Sequence, residues 1–363
     1  MHTLHRTFPA TFSSKVASEE LVFRVRRLGV KISVTIKDIA RLLDVSHTTV
    51  SRALNDSPLI SEATKKRIVD TAKMLNYVPN YSARSLVQNR SYNIGLFFAT
   101  LGGSTSADFF YETVHGVAGV IDQCYNLVVN GLDQFDDFDW VDSRRFDGVI
   151  LVSQSERDDQ FVYYMQERKI PLVVLNRKIA LESLVNILSD DRGGAKAAVN
   201  YLIENGHKEV ALIGGVPGFQ ATSERREGYF EALMENGISI RGSLMEDGDF
   251  TMESGRRAML KLLEVTTPPS SVFAMNDEMA IGAMAAIASS GFSIPEDFSI
   301  VGFDDSRFSA YFTPSLTTVR RSIGEVASRG AKALLDLVDG TTIAPGRVFV
   351  ETKLIPRKSV RHI

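Results

Sequence analysis

The sequence predicts a small all-α head joined by a short polar linker to a larger α/β body. Three observations predict this. Apolar residues recur at helical spacing from 34 to 78, and from Tyr92 they give way to short apolar runs separated by helix-length segments. The charge balance also reverses near residue 91. Residues 1–91 hold 15 Lys/Arg against 7 Asp/Glu, while the remainder hold 26 against 37, so a net charge of -3 conceals a basic head on an acidic body. A basic head suits a polyanionic partner. Chance fluctuation of surface charge is the alternative, and the coincidence with the change of pattern counts against it.

A length of 363 residues suits two or three domains, and an apolar share of 44% provides a sizeable core. No window is apolar enough for a membrane helix, and the first thirty residues lack the apolar stretch of a secretory signal. Cys124 is the single cysteine, which excludes an internal disulfide and a Cys-rich metal knuckle, so a reducing cytoplasm is the expected location.

Residues 1–33 show no sustained period and read as a disordered tail or a spurious start. Ordered patterning begins at Val34, and 34–79 read as three short helices. Thr35 with Asp38 resembles a capping box, and Ile36, Ile39, Ala40 and Leu43 form the first apolar face. Ser46 caps a second helix with Val50, Ala53 and Leu54 inward. Ser61 caps a third, with Ile68, Ala72 and Leu75 inward, and Pro79 ends it. The linker 80–91 has helical propensity but little apolar surface, too little to hold a helix alone in water.

The body, 92–363, carries the runs "NIGLFFAT", "YNLVVNG", "FDGVILVS", "IPLVVLN", "NILS", "KEVALIGG", "SSVFAMN", "FSIVGFDD" and "FVETKLI". Continuous apolar strands with helical crossovers imply parallel sheets covered on both faces. The runs are too many for one tidy sheet, so two α/β subdomains with a cleft between them are expected. Ligands in such sheets lie beyond the strands' carboxyl ends, here marked by Asn176, Gly214-Gly215, Asn276 and Asp304-Asp305.

The segment "TIKDIARLLDVSHTTVSRALNDSPLISEATKKRIVDTAKMLNYVPNYSARSL" resembles the DNA-binding head of the LacI/GalR bacterial transcription regulators. The body is similar to the same family through "SDDRGGAKAAVNYLIENGHKEVALIGG", "FAMNDEMAIGAM" and "VGFDDSRFSAYFTPSLTTVR", over about 34 to 360. The resemblance implies a helix-turn-helix, a hinge helix at 80–91, and a core like the periplasmic sugar-binding proteins, made of two Rossmann-like subdomains. One would take about 92–190 and 320–345, the other about 192–318 and 347–357. Three positions depart from the family. Leu43-Asp44 replaces the usual Ala-Gly of the turn, Asp108 replaces a common Pro in a longer loop, and Asn176 stands where many members have Asp.

In a helix-turn-helix the second helix reads the major groove. By the resemblance His47, Thr48 and Arg52 face base edges, Ser46, Thr49, Ser51 and Asn55 grip phosphate, and Thr35 is a further DNA contact. The other reading is a solvated polar helix. In the hinge, Asn80, Ala83 and Arg84 are implied DNA contacts and Leu86 a minor-groove wedge; Leu86 packing on the core is the alternative. Small residues beside Leu86 would let two hinges meet, implying a homodimer on a pseudo-palindromic operator. In the cleft, Arg225, Asn276, Asp304 and Asn176 are implied to bond a polar ligand, with Phe109, Phe110 and Phe250 as walls, a mixture that suits a sugar. Phe250 in the core, or Asp304 or Asp305 as the cap of a following helix, are the plainer readings.

The expected function is a ligand-responsive regulator, a repressor of carbohydrate uptake or catabolism genes, with no cofactor and no metal. The rivals are the same regulator with a nucleoside or phosphoprotein effector, a solute-binding protein, and an α/β enzyme. "IGGVPG" lacks the G-x-G-x-x-G spacing, and neither a P-loop nor a G-x-S-x-G is present, so the sequence offers the enzyme reading little.

Overall fold

The computed structural model describes residues 34–54, 56–75, 77, 90–102, 105–121 and 125–363. The chain divides into two compact units, 1–88 and 89–363.

In the first unit lie α1 (Ile36–Leu43), α2 (His47–Leu54) and α3 (Glu62–Met74). Helices this short are marginal alone, so a shared core must stabilise them. That core is Ile39, Ala40, Val50, Ala53, Ile68 and Ala72, with Ile36, Leu43, Leu54 and Leu75 packed around it. Each helix start is capped as its sequence anticipates. The Thr35 backbone N–H donates to the Asp38 carboxylate at 3.0 Å, Ser46 Oγ accepts the Thr49 N–H at 3.0 Å, and Ser61 Oγ accepts the Thr64 N–H at 3.4 Å. Asp44 ends α1 at φ 52, ψ 48, in the left-handed region. That explains why glycine suits this turn and why Asp, which tolerates the region better than most residues, can replace it.

In the second unit the first lobe is a parallel six-stranded sheet. Its strands are β1 (Asn93–Phe98), β2 (Asn126–Gly131), β3 (Gly148–Val152), β4 (Leu172–Leu175), β5 (Val185–Ser189) and β11 (Gly346–Val350), ordered β11-β5-β4-β3-β1-β2. Alternate residues bury on opposite faces. Ile94, Leu96 and Phe98 join Ile150 and Val152 on one side, while Phe97 joins Val149 and Leu151 on the other. Helices α4 (Ala107–Ala118) and α10 (Ile323–Val338) cover the first face and α5 (Asp159–Glu167) the second. Both faces are therefore dry, which is why these strands read as unbroken apolar runs.

The second lobe is a parallel sheet ordered β7-β6-β8-β9, made of β6 (Val210–Gly214), β7 (Met245–Asp247), β8 (Ser271–Ala274) and β9 (Ser299–Val301). Around it lie α6 (Asp191–Glu204), α7 (Gln220–Glu235), α8 (Met252–Leu263) and α9 (Asp277–Ser289). The chain passes between lobes at Ser189–Asp191, at β10 (Thr318–Arg321) and before β12 (Thr352–Ile355). The last two segments pair antiparallel with each other.

One expected boundary is corrected. Residues 347–350 do not join the second lobe, because β11 pairs in parallel with β5 of the first sheet, Val348 opposite Ile187. "FVETKLI" reads as one strand by apolarity, yet Glu351 breaks it into two strands serving different sheets. Only pairing reveals the break. Among the described residues no helix is long and apolar enough to cross a membrane.

Asp44→Gly is expected to stabilise the head by up to about 1 kcal/mol, and Asp44→Val to destabilise it, since only the β-carbon and its branching oppose the left-handed turn. Urea unfolding followed by circular dichroism checks this; a lower midpoint for the glycine variant would contradict it.

Candidate functional site

On α2 the polar face divides by exposure. His47, Thr48 and Arg52 are exposed, Thr49 and Ser51 half-buried, and Val50 and Ala53 buried. Burying Val50 and Ala53 on α1 and α3 leaves the opposite side of the helix, with its first-turn His47 and Thr48, open to a partner. Ser46 is exposed, but its hydroxyl is committed to Thr49, both to the backbone and to Oγ1 at 2.8 Å. Thr35 is exposed at the start of α1. Asn55, Asn80, Ala83, Arg84 and Leu86 lie outside the described residues.

Between the core lobes, Phe109, Asn176, Arg225, Phe250, Asn276 and Asp304 line one cavity of about 50 Å³. Each except Phe109 and Arg225 stands one to three residues beyond the carboxyl end of a strand, as a doubly wound sheet requires. Phe110 is not among the lining residues. One helical step carries it about 100° from Phe109, and its ring rests against Phe98 with centroids 5.3 Å apart. The expectation that Phe110 walls the ligand is corrected to Phe109 alone.

Arg225 is 2% exposed. Its Nη1 donates to the Met275 carbonyl oxygen, and its Nη2 lies 3.5 Å from Asp191 and 3.4 Å from Asp304. The guanidinium sits over the Phe303 ring, 3.9 Å from its centroid. A second arginine, Arg321, enters from β10. Its Nη2 donates to Asn176 Oδ1 at 2.9 Å, and its Nε and Nη1 lie 3.4 Å from Asp191 and 3.9 Å from Asp304. The Nε of each arginine is buried with no hydrogen-bond partner among the described residues. Burial pushes the Asp304 carboxyl above the ordinary carboxylate range, against the pull of Arg225 and Arg321.

Asn276 works in two directions. Its Oδ1 caps α9 by accepting the Met279 N–H at 2.9 Å, and its Nδ2 donates to the Phe250 carbonyl oxygen at 2.9 Å. The latter holds Phe250 at φ 69, and Phe250 in turn stacks on Phe219 with centroids 6.3 Å apart. A β-carbon on Gly215 would lie 2.1 Å from the Phe250 ring, so the ring needs that glycine. Asn176, Phe250, Asp304 and Asp305 all have positive φ. Such strain collects where a site is pre-shaped. Phe250 also packs on the second lobe's core, so the two readings of it are compatible. Asp304 caps no helix; a run of turns follows it.

Sequence reasoning missed Arg321, Gln154 and Phe219, which line the same cavity. A usable signal exists for Arg321. In "TVRR" the two arginines alternate faces, Arg320 exposed and Arg321 buried, which marks one as inward-pointing.

Residues 35–80 match the bacterial regulatory proteins of the lacI family, and residues 199–360 match a periplasmic binding protein-like domain. The chain is 47% identical over 330 residues to the Probable HTH-type transcriptional repressor ExuR of Bacillus subtilis (strain 168), covering 91% of this chain and 99% of that protein. The chain belongs to the lacI family. Within that family it is similar in structure to a transcriptional regulator CelR–cellobiose complex, with TM-score 0.68 and 30% identity, covering 90% of this chain and 99% of that one. It shares its fold with a lac repressor dimer bound to operator and the anti-inducer ONPF, at TM-score 0.76 and 24% identity, covering 91% and 100%. LacI-family architecture therefore extends through head and core alike.

Two outcomes follow from the charges of the cleft. Arg225→Met is expected to destabilise the core by up to about 3–5 kcal/mol in denaturant unfolding, because buried Asp191 and Asp304 lose one of their two cations, the nearer one to Asp304, and keep only Arg321. Asp277, next to Asn276, supports the cleft loop by accepting the Ser306 N–H at 2.7 Å and the Thr318 hydroxyl at 2.5 Å. Burial nevertheless pushes its carboxyl up to about 8. The folded value exceeds the unfolded one, so its contribution is complete below about pH 4 and is lost as pH rises through 8. Asp277→Asn is expected to match the wild-type melting temperature at pH 4 and exceed it at pH 8; parallel pH profiles would contradict this.

Proposed function

We propose that this chain is a ligand-responsive transcriptional repressor, not an enzyme, which binds operator DNA through α2 and an effector between its core lobes. The observation that carries it is the exposed His47, Thr48 and Arg52 face on a capped helix-turn-helix, in one chain with a two-lobed core whose polar groups converge on a cavity. Arg52 is the candidate base reader, because a guanidinium matches guanine O6 and N7 bidentately. Thr49 and Ser51 position the helix on phosphates, Ser46 does so through the turn its hydroxyl caps, and Thr35 is a further DNA contact. The basic composition of residues 1–91 supplies the sequence-independent share of affinity.

The effector we infer is a sugar. Supporting this are paired donors and acceptors on Arg225, Arg321, Asn176 and Asp304, faced by Phe109 and Phe250, and the cellobiose in the related CelR complex. Fixed hydrogen-bond partners suit hydroxyls, and aromatic faces cover the C–H side of a ring. We place the protein in the cytoplasm and infer that it acts as a homodimer on a pseudo-palindromic operator, regulating carbohydrate uptake or catabolism genes. Ligand and operator then alter each other's affinity by the same factor.

Gel-shift titrations with upstream DNA and with random duplex test the DNA reading. Arg52→Ala is expected to reduce the preference for operator by about 1–3 kcal/mol while sparing affinity for random duplex. Equal weakening on both would remove Arg52 from the reading role. A thermal-shift screen against neutral sugars, sugar acids and nucleosides tests the effector class, since a ligand at a hundredfold its Kd adds about 2.7 kcal/mol. A shift with nucleosides alone would overturn the sugar assignment.

A further inference from the structure

At the edge of the cleft an ion pair joins the two lobes directly. Asp108, in the first turn of α4 on the first lobe, faces Arg307, in the loop after β9 on the second. Arg307 donates to the Asp108 carboxylate three times: from its backbone N–H at 3.2 Å, from Nε at 3.1 Å and from Nη2 at 2.9 Å. The guanidinium also lies over the Tyr111 ring, one helical turn beyond Asp108, 4.6 Å from its centroid. One lobe thus supplies a carboxylate and an aromatic face at helical spacing, and the other a cation gripped by both. A proline at 108 would have no group to offer Arg307. A second set of bridges crosses near the opposite rim. There the Gln220 N–H donates to the Gln154 carbonyl oxygen at 3.0 Å, and Lys178 binds Gln220 Oε1 through its backbone N–H at 2.6 Å and Glu224 through Nζ at 2.7 Å.

We propose that Asp108, Tyr111 and Arg307 form a latch that holds the core lobes closed over the cleft. Asp108 and Arg307 line a cavity of about 340 Å³ that shares Phe109, Asn276, Asp304 and Arg321 with the smaller one, so the latch borders a space within the roughly 300–1,000 Å³ of pockets that hold ligands. When the lobes separate, the latch is what parts on that side of the cleft. Its strength suits the task. Arg307 is 56% exposed at the side chain and Asp108 17%, so water and salt compete for the pair and it can break and re-form. All three contacts end on one carboxylate, two from the guanidinium and one from the backbone of the same residue, so they open together. The latch therefore sets the resting balance of open and closed lobes before any ligand arrives.

Spin labels placed on exposed Tyr163 of α5 and Met234 of α7 in the full chain, with Cys124→Ser, report lobe separation by double electron–electron resonance without any ligand. Asp108→Ala and Arg307→Ala are each expected to move the distance distribution towards longer values. The double variant should move no further than either single one. High salt should shift the wild type in the same direction and shift Asp108→Ala less, since that variant keeps the inter-lobe pair Lys178–Glu224. Unaltered distributions in the single variants, or shifts that add fully in the double variant, would overturn the latch. Should circular dichroism show either alanine variant unfolded, Asp108→Asn carries the test: it keeps the shape and removes the charge, so its distribution must lengthen or the proposal fails.

Discussion

The core depends on one buried guanidinium. Arg225 comes from α7, yet the groups around it come from everywhere the lobes meet: Asp191 just past the first crossover, Asp304 beyond β9, the Met275 carbonyl beyond β8, and the Phe303 ring beneath. A cation at 2% exposure is tolerable only if its partners stay in place. Those partners are therefore held, and with them the loops that shape the cleft. Arg321 extends the arrangement to the second crossover and, through Asn176, to the first lobe. Two cations and two carboxylates thus sit at separations of 3.4 to 3.9 Å, close enough to balance and too far to form tight pairs. Such groups keep bonding capacity for a ligand.

Around this centre local rules are broken in a consistent way. Asn176, Phe250, Asp304 and Asp305 adopt positive φ, and Gly215 lacks a β-carbon so that Phe250 can lie on it. Each irregularity occurs just past a strand end, and the Asn176 and Asp304 N–H groups still donate to Ile187 and Val319 of neighbouring strands. The sheets themselves are regular, with apolar residues alternating between two buried faces. A stiff scaffold thus carries a pre-shaped cleft, and motion is left to the thin connections at Ser189–Asp191, β10 and Glu351. Polar bridges at the rim, Asp108 to Arg307 and Lys178 to Glu224, can exchange with water in a way that the apolar cores cannot.

Legibility followed the physics of each element. The head's core was readable because Ile39, Val50, Ile68 and their neighbours repeat at helical spacing, and its caps because serine and threonine oxygens act within three residues. The long apolar strands were readable for the same local reason. β7, "MED", and β10, "TVRR", were not. The first is short and polar, and the second hides a structural arginine in what reads as surface charge. Phe110 looked as suitable as Phe109, since the choice between adjacent aromatics depends on helix phase against a neighbour far away in sequence.

The sequence by itself determined what depends on near neighbours: the three capped helices and their apolar faces, the alternating strands and helices of the core, the basic head, and most residue types that gather in the cleft. Tertiary structure alone decided which lobe owns Gly346–Val350, that Arg321 rather than Phe110 enters the cleft, and that Asp108 meets Arg307 across it. The physical reason is the same in each case. Strand pairing, burial of a charge and an ion pair between lobes are contacts between residues far apart in the chain, and spacing along the chain gives only the alternation of "TVRR" as a sign of the second and nothing of the other two.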